Sequence, residues 1–298
     1  MSGLVSILVS TIEIAVRHGL ANMHWYNGAL ITDSLTTGSS VEKLLDDPGL
    51  RFGASVFTTL RVYANCLEDP RSQWQAHRDR LIHSIKAFQW RSPNWPAVYK
   101  GAEQLKKHYP ILRITLFPDG KEWITGRSLP PQLSRQQQLG ITCWIAPPTY
   151  TRSLPAHKTG NYLACQLARQ QAQTHGAQEA ILTSLDGHAL ETTTGNLWGW
   201  AAGQWWTPVS THAGYECLPG LMRERMWQLL TRQGKSINAQ KWTAAKLRSF
   251  EAIAYSNCVV ELLPIHTVLQ GTQQISFDPH HHKLRSLLQQ IQQTANDR

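Results

Sequence analysis

The residues with the clearest chemical potential are Lys158 and Glu191, which lie in the stretch HKTGNYLACQLARQQAQTHGAQEAILTSLDGHALETTTGNLW. Lys158 precedes a segment in which apolar and small residues recur at helical spacing, so we predict it at the mouth of a helix. A strand over Glu179–Thr183 and a turn at Asp186-Gly187 follow, and a second strand then carries Glu191. This order of elements would bring the two side chains to one cleft.

A lysine at a helix entrance, walled by apolar residues, loses its proton easily and can join covalently to an aldehyde. A nearby carboxylate could keep the ring nitrogen of pyridoxal phosphate protonated, which makes the ring an electron sink. Spacing alone favours the ordinary alternative, because an isolated lysine at a helix start is usually a solvated charge. A glutamate in a strand is likewise usually an edge residue. The cofactor hypothesis therefore needs support from the rest of the chain.

Composition limits the possible classes of protein. The chain has 298 residues, of which 42% are hydrophobic, which is enough for two domains or one large one with a sizeable core. The net charge of +9 would suit a nucleic acid or an anionic small ligand. The basic residues are scattered, however, and no zinc-finger or helix-turn-helix pattern is present. General surface charge with some anion-binding groups is therefore favoured over nucleic-acid binding.

The cysteines and the apolar runs point to a cytoplasmic protein. The five cysteines are widely spaced and include no CxxC pair, which predicts reduced thiols and neither a disulfide framework nor a metal site. No apolar run reaches membrane-spanning length. Leu4–Val16 is apolar, but Glu13 interrupts it, so we do not expect a signal peptide. His280–His282 lacks partners at ligand spacing and is predicted to be a solvated helix start.

The chain is predicted to have an N-terminal extension and two domains. Residues 1–22 are detached from the pattern that follows, and Met23 is an alternative initiator. A small α/β domain is predicted over 23–146 and a large cofactor-binding domain over 147–298, because Pro147-Pro148 begins a Pro-rich stretch typical of linkers. Gly140–Ala146 is predicted as a strand of the small domain. Residues 118–130 are predicted as a loop.

Three segments could bind an anion. Arg78 and Arg80 lie at the start of a predicted helix over His77–Trp90, where arginines can bind phosphate. The Pro219-Gly220 turn opens a second helix, whose first backbone N–H groups are free to bind an anion. A polar turn, Ser256–Cys258, joins two predicted strands. Each has an ordinary alternative, a solvated charge or a simple connection.

In this order, these segments resemble the class IV family of pyridoxal-phosphate enzymes, which includes branched-chain and D-amino-acid aminotransferases and 4-amino-4-deoxychorismate lyase. The resemblance covers roughly residues 23 to 268. It implies a mixed α/β (α+β) protein of the two-domain fold type IV, like D-amino-acid aminotransferase, with pyridoxal 5'-phosphate between the domains and a homodimeric assembly. The matching segments are Trp25–Gly28, FGASVFTTLRV at 52–62, HRDRL at 77–81, HKTGNYL at 157–163, ETTTGNLW at 191–198, TP at 207–208, LPGLMR at 218–223 and SNCVVELLPI at 256–265.

The resemblance implies a role for each matching residue. Lys158 corresponds to the lysine that binds the cofactor covalently, and Glu191 to the carboxylate that pairs with the pyridine nitrogen. The implied phosphate ligands and cofactor contacts are Arg80, Tyr162, the backbone N–H groups of Leu221 and Met222, and the turn Ser256, Asn257 and Cys258. Cys258 departs from the usual Thr or Ser, so a side-chain bond from that position is not implied.

Within the family, the sequence favours the lyase. Phe57-Thr58-Thr59 resembles the lyase pattern, whereas branched-chain aminotransferases usually have Phe-Glu-Gly there, and Asn257 also matches the lyases. The implied activity forms 4-aminobenzoate and pyruvate for folate synthesis. Thr59, Arg113 and Arg127 are the candidate substrate residues, with the arginines binding carboxylates or, equally, serving as surface charge. The alternatives are an aminotransferase for D-amino or branched-chain amino acids and a non-catalytic protein that has kept the fold.

Overall fold

The computed structural model describes residues 23–31, 48–209 and 217–293. The predicted N-terminal extension, residues 1–22, lies outside the described residues. No helix within these ranges is long and apolar enough to cross a membrane. The five cysteines are all free thiols.

A five-stranded antiparallel sheet forms the first part of the fold, in the order β2-β1-β5-β4-β3. Its strands are β1 (His24–Tyr26), β2 (Ala29–Ile31), β3 (Val56–Arg61), β4 (Ile111–Leu116) and β5 (Glu122–Arg127). One face packs on helices through a core that includes Leu60, Leu112 and Ile124. The opposite face of β3 to β5 is therefore available to line a cavity.

A nine-stranded mixed sheet forms the second part, in the order β11-β10-β9-β12-β13-β6-β7-β8, with β14 paired to β13. Because β8 also pairs with β9, the strands from β9 to β8 close into a ring. The strands are β6 (Ile141–Ile145), β7 (Glu179–Thr183), β8 (Ala189–Thr192), β9 (Asn196–Ala201), β10 (Gln204–Pro208), β11 (Ile237–Gln240), β12 (Ala252–Asn257), β13 (Glu261–Gln270) and β14 (Gln273–Ser276).

Helices accompany both sheets. They are α1 (Pro48–Phe52), α2 (Trp74–Ala87), α3 (Trp95–Leu105), α4 (Leu133–Leu139), α5 (Leu163–Thr174), α6 (Leu221–Arg232), α7 (Ala244–Arg248) and α8 (His282–Gln293). The apolar stripes of α6 and α8 pack together on the larger sheet through residues such as Met226, Leu284 and Ile291. Asn94 caps α3 by accepting a hydrogen bond from the backbone N–H of Ala97.

Two local predictions differ from the structure. The strand at Ile141–Ile145, which the sequence analysis places in the small domain, pairs in parallel with β13 and β7 of the larger sheet. Its buried residues Ile141 and Cys143 belong to the core of that sheet, and a Pro-rich loop after a strand does not reveal which sheet the strand joins. The domain limits at 23–146 and 147–298 stay a prediction, whereas the chain changes sheets between β5 and β6.

The second difference concerns residues 118–130, which were predicted as a loop but include strand β5. The Pro118-Asp119-Gly120 turn is a hairpin turn, since β4 and β5 pair directly with Leu116 opposite Glu122. Gly120 has a φ of +85°, which is the left-handed region that favours glycine.

The two sheets meet at a short extended segment that contains Lys158. The backbone N–H of Phe57 donates to the carbonyl of Lys158 at 2.8 Å, and the N–H of Gly160 donates to the carbonyl of Ser55 at 2.6 Å. A Cβ atom at position 160 would lie 2.0 Å from Oγ of Ser55, so this close approach requires glycine. The segment before α5 is therefore bonded to the start of β3 in the smaller sheet.

Candidate active site

Residues of both sheets line a cavity of about 550 Å³. This volume lies within the usual range for small-molecule and cofactor sites. The structure brings every residue predicted from the sequence for the site to this cavity. They are Thr59, Arg80, Arg113, Arg127, Lys158, Tyr162, Glu191, Leu221, Met222, Ser256, Asn257 and Cys258.

Lys158 lies in the extended segment before α5 rather than at the first turn of that helix, which begins at Leu163. Its Nζ is 4.8 Å from the centre of the Phe57 ring and 5.2 Å from that of Tyr162. Burial, reinforced by the charges of Arg80 and Arg152, lowers the pKa of Lys158 from 10.5 to about 7. A substantial fraction of this amine is therefore neutral, and nucleophilic, near pH 7.

Glu191 on β8 forms a buried ion pair that the sequence did not predict. Nη1 of Arg152 donates to Oε1 of Glu191 at 3.0 Å, and the backbone N–H of Leu218 donates to Oε2 at 3.1 Å. Burial acts against the charge of Arg152, but the Glu191 carboxylate holds the pKa of Arg152 above its ordinary value. Arg152 also donates to the carbonyl of His157 at 2.6 Å, so it links Glu191 to the backbone next to Lys158.

Arg152 was missed because it lies in the Pro-rich stretch that was interpreted as a linker. Its single charge has no sequence neighbour that would mark it as a site residue. The only available indication was its position a few residues before Lys158, which many surface arginines would share.

Tyr162 and Glu179 hold the loop between β8 and β9. The hydroxyl of Tyr162 donates to the carbonyl of Thr193 at 2.6 Å. Glu179 is buried and accepts from the hydroxyls of Thr193 and Thr194, the latter at 2.6 Å, and its burial raises the pKa of its carboxyl group. The loop that borders the cavity beside Glu191 is therefore fixed from both sides.

Arg80 on α2 reaches the cavity through a buried polar contact with β3. Its Nη2 donates to Oγ1 of Thr58, and the same hydroxyl lies 2.5 Å from Nδ1 of His77. Burial, together with the charges of Arg80 and Lys158, holds the pKa of His77 well below its ordinary value, so the ring is neutral. Nε of Arg80 is buried and has no hydrogen-bond partner among the described residues. This group is thus available to an anion in the cavity.

The start of α6 lies in the same part of the cavity. Gly220 precedes the helix without a side-chain cap, and Leu221 and Met222 form its first turn. The backbone N–H of Met222 hydrogen-bonds to the thiol of Cys258, whose pKa is raised by burial. A neutral thiol is compatible with an anion at this helix N-terminus.

The turn after β12 is organised by its own side chains. Oδ1 of Asn257 accepts from the N–H groups of Val259 and Val260 at 2.8 and 2.9 Å, and Nδ2 donates to the carbonyl of Thr194. Oγ of Ser256 accepts from the indole N–H of Trp198 at 3.0 Å. Both predicted residues line the cavity, and these side-chain bonds fix the shape of its wall.

The wall formed by the smaller sheet is cationic. Thr59 on β3 lies opposite Arg113 on β4, and Arg127 ends β5. The guanidinium carbon of Arg113 lies over the Phe57 ring, 3.6 Å from its centre, in a cation–π contact. The pairing of β4 with β5 positions Arg127 on a strand rather than on the predicted loop.

Comparison with known proteins identifies the family. The profile of the family described as amino-transferase class IV matches residues 55–268. The chain belongs to the class IV aminotransferase family. The sequence-based assignment to this family is thus confirmed.

Curated class IV relatives include two activities. An aminodeoxychorismate lyase from Vibrio harveyi is 22% identical over 250 residues, which cover 78% of this chain and 90% of the relative. A branched-chain-amino-acid aminotransferase from Escherichia coli K12 is 27% identical over 276 residues, covering 83% and 85%. The matches therefore do not separate lyase from aminotransferase.

Among solved structures, a hypothetical aminotransferase from Mycobacterium tuberculosis in its PLP-bound form superposes with a TM-score of 0.74. It is 16% identical, and the match covers 91% of this chain and 99% of that protein. The predicted fold class, a mixed α/β protein of the aminotransferase type IV fold, is confirmed by this similarity.

Proposed function

We propose that this class IV protein binds pyridoxal 5'-phosphate and acts as a 4-amino-4-deoxychorismate lyase, which releases pyruvate and forms 4-aminobenzoate. Membership of the family supports the cofactor. The residues fit the cofactor as well, because a lysine amine with a pKa of about 7, a buried carboxylate and an anion site line one cavity. The orphaned Nε of Arg80 and the N-terminus of α6, which has no side-chain cap, suit a phosphate group.

Lys158 is the residue that we expect to bind the cofactor and to move the proton. Bound pyridoxal phosphate withdraws electrons from the carbon that bears the substrate's amino group. The neutral amine of Lys158 can then take the proton from that carbon, as a general base whose pKa lies near the working pH. Glu191, which forms a buried ion pair with Arg152, is the group that would face the protonated ring nitrogen.

The observation that carries the choice of substrate is the cationic wall of the smaller sheet. Arg113 and Arg127 line the cavity and have no ion-pair partner within the described ranges. A branched-chain amino acid has a single carboxylate and an apolar side chain, so it could pair with only one of these two solvent-exposed guanidiniums. Aminodeoxychorismate carries two carboxylates and would pair with both.

The alternative function is an aminotransferase, which the 27% identity to branched-chain enzymes supports. A second carboxylate occurs in 2-oxoglutarate too, so the arginines alone do not decide between the reactions. Lys158 and Glu191 serve both, since each reaction begins with loss of a proton next to the amino group.

The test supplies the purified holoenzyme with aminodeoxychorismate and, separately, with D-alanine or leucine plus 2-oxoglutarate. We expect 4-aminobenzoate and pyruvate in equal amounts in the first assay and little keto acid from the amino acids in the second. Rapid exchange of keto acids without 4-aminobenzoate would reject the lyase in favour of the aminotransferase. If the protein binds pyridoxal phosphate, a visible absorbance band should be present in the wild type and absent in Lys158→Ala. A wild-type protein that takes up no pyridoxal phosphate and has no such band would favour a non-catalytic role.

A further inference from the structure

The cationic wall of the smaller sheet carries two arginines on one face. In the antiparallel pairing of β4 with β5, Arg113 lies opposite Thr125 and Ile111 lies opposite Arg127. Alternate residues of a strand point to the same face, so Arg113 and Arg127 are diagonal neighbours on the cavity side. Arg113 contacts the Phe57 ring, which Lys158 also approaches, so it is the arginine nearer the reactive amine.

A third arginine, on helix α5, lines the same cavity. Tyr162, Gln166 and Arg169 follow one another at helical spacing at the start of α5 and in its first two turns, and all three line the cavity. Burial lowers the pKa of Arg127, and the positive charge of Arg169 lowers it further. Arg127 and Arg169 thus line one cavity from different parts of the fold, and the charge of one acts on the other.

These charges are not neutralised by the protein itself. Among the described residues, the side chains of Arg113, Arg127 and Arg169 are exposed to solvent and form no ion pair and no hydrogen bond. The charge of Arg169 acts to lower the pKa of Glu179, but the two carboxylate oxygens of Glu179 already accept hydrogen bonds from Thr193 and Thr194. Two like charges held together without a counter-ion at a cavity wall would be stabilised by an anionic ligand.

We propose that Arg127 and Arg169 together bind a carboxylate of the substrate that is remote from its amino group. Arg113 is then left for a carboxylate nearer the amine, and the cavity selects substrates with two carboxylates over those with one. This inference deepens the proposed function, on which it rests for the identity of the substrate. Arg169 is a specificity residue in this scheme, contributed by α5 to a site otherwise built on the smaller sheet.

The test measures binding of two aromatic probes to the holoenzyme by titration calorimetry. The probes are isophthalate, which has two carboxylates, and benzoate, which has one. We expect the wild-type protein to bind isophthalate at least about tenfold more tightly, as is typical for a charge-assisted hydrogen bond. In Arg127→Gln and Arg169→Gln this ratio should fall toward one, with benzoate affinity little changed.

A matched control is Arg232→Gln, which removes one positive charge from the exposed end of α6, away from the cavity. It should retain the wild-type ratio. Arg169→Lys keeps the charge but lacks the planar guanidinium group, so it should lose part of the preference for isophthalate over benzoate. This variant allows the same measurement if Arg169→Gln does not fold.

Three results would overturn the proposal. They are a wild-type protein with no preference for isophthalate, an unchanged ratio in both glutamine variants, and an equal loss of affinity for both probes in Arg169→Gln, which would indicate a purely structural role. Failure of the lyase assay is distinguishable from these results. An enzyme that forms no 4-aminobenzoate but loses its isophthalate preference in Arg169→Gln would retain the dicarboxylate site and lose only the proposed reaction.

Discussion

Replacing Lys158 by methionine should stabilise the cofactor-free protein, and by an amount that depends on pH. The pKa of Lys158 falls from 10.5 to about 7 on folding, chiefly because burial disfavours the charged amine. The folded protein therefore binds fewer protons than the unfolded chain between pH 7 and 10.5, and stability rises with pH across that window. The cost of burying the protonated amine is greatest below pH 7 and disappears above 10.5.

The pKa difference corresponds to a free-energy cost of about 4 kcal/mol at pH 7 and about 2 kcal/mol at pH 9. Urea unfolding of the two apoproteins at both pH values would measure it. We expect the stability gained by Lys158→Met to shrink by about 2 kcal/mol between pH 7 and 9. Lys86→Met, at an exposed position of α2, controls for the loss of one positive charge. A Lys158→Met difference that is the same at both pH values would refute the argument that burial depresses this pKa.

Three further predictions concern the groups around Lys158. Arg152→Met should lower the free energy of unfolding by about 3–5 kcal/mol in urea, because it leaves the buried Glu191 carboxylate unpaired, and adding Glu191→Gln should restore part of the loss. Thr58→Val should weaken pyridoxal-phosphate binding by about tenfold in fluorescence titrations, since Arg80 loses its buried acceptor, whereas Thr58→Ser should retain affinity. Gly160→Ala should destabilise the protein by about 1–3 kcal/mol through its clash with Oγ of Ser55, and Ser55→Ala in the same chain should relieve the effect in thermal unfolding.

The strands and helices that carry long periodic patterns were predictable from the sequence. The predicted strand at Glu179–Thr183 has the same bounds in the structure. The helix that was predicted to begin at His77 begins at Trp74 in the structure. Its first turn could not be recognised in the sequence because it has no side-chain cap and no apolar stripe.

The site was predictable where the family motifs are contiguous and not where it depends on long-range pairing. Lys158 and Glu191 each lie in a recognisable motif, and the structure brings both to the same cavity. Arg152 and Arg169 belong to no motif, and their importance arises only from what lies opposite them after folding. The sheet to which β6 belongs was equally hidden, because strand pairing across a large sequence separation leaves no local pattern.

The backbone pairing of Ser55–Phe57 with Lys158–Gly160 limits how far the two walls of the cleft can move apart. Two main-chain hydrogen bonds fasten the reactive lysine directly to the smaller sheet, so a hinge located here would drag the amine away from Glu191 whenever it opened. Substrate entry would therefore need motion of a part of the cavity wall that leaves these two bonds intact.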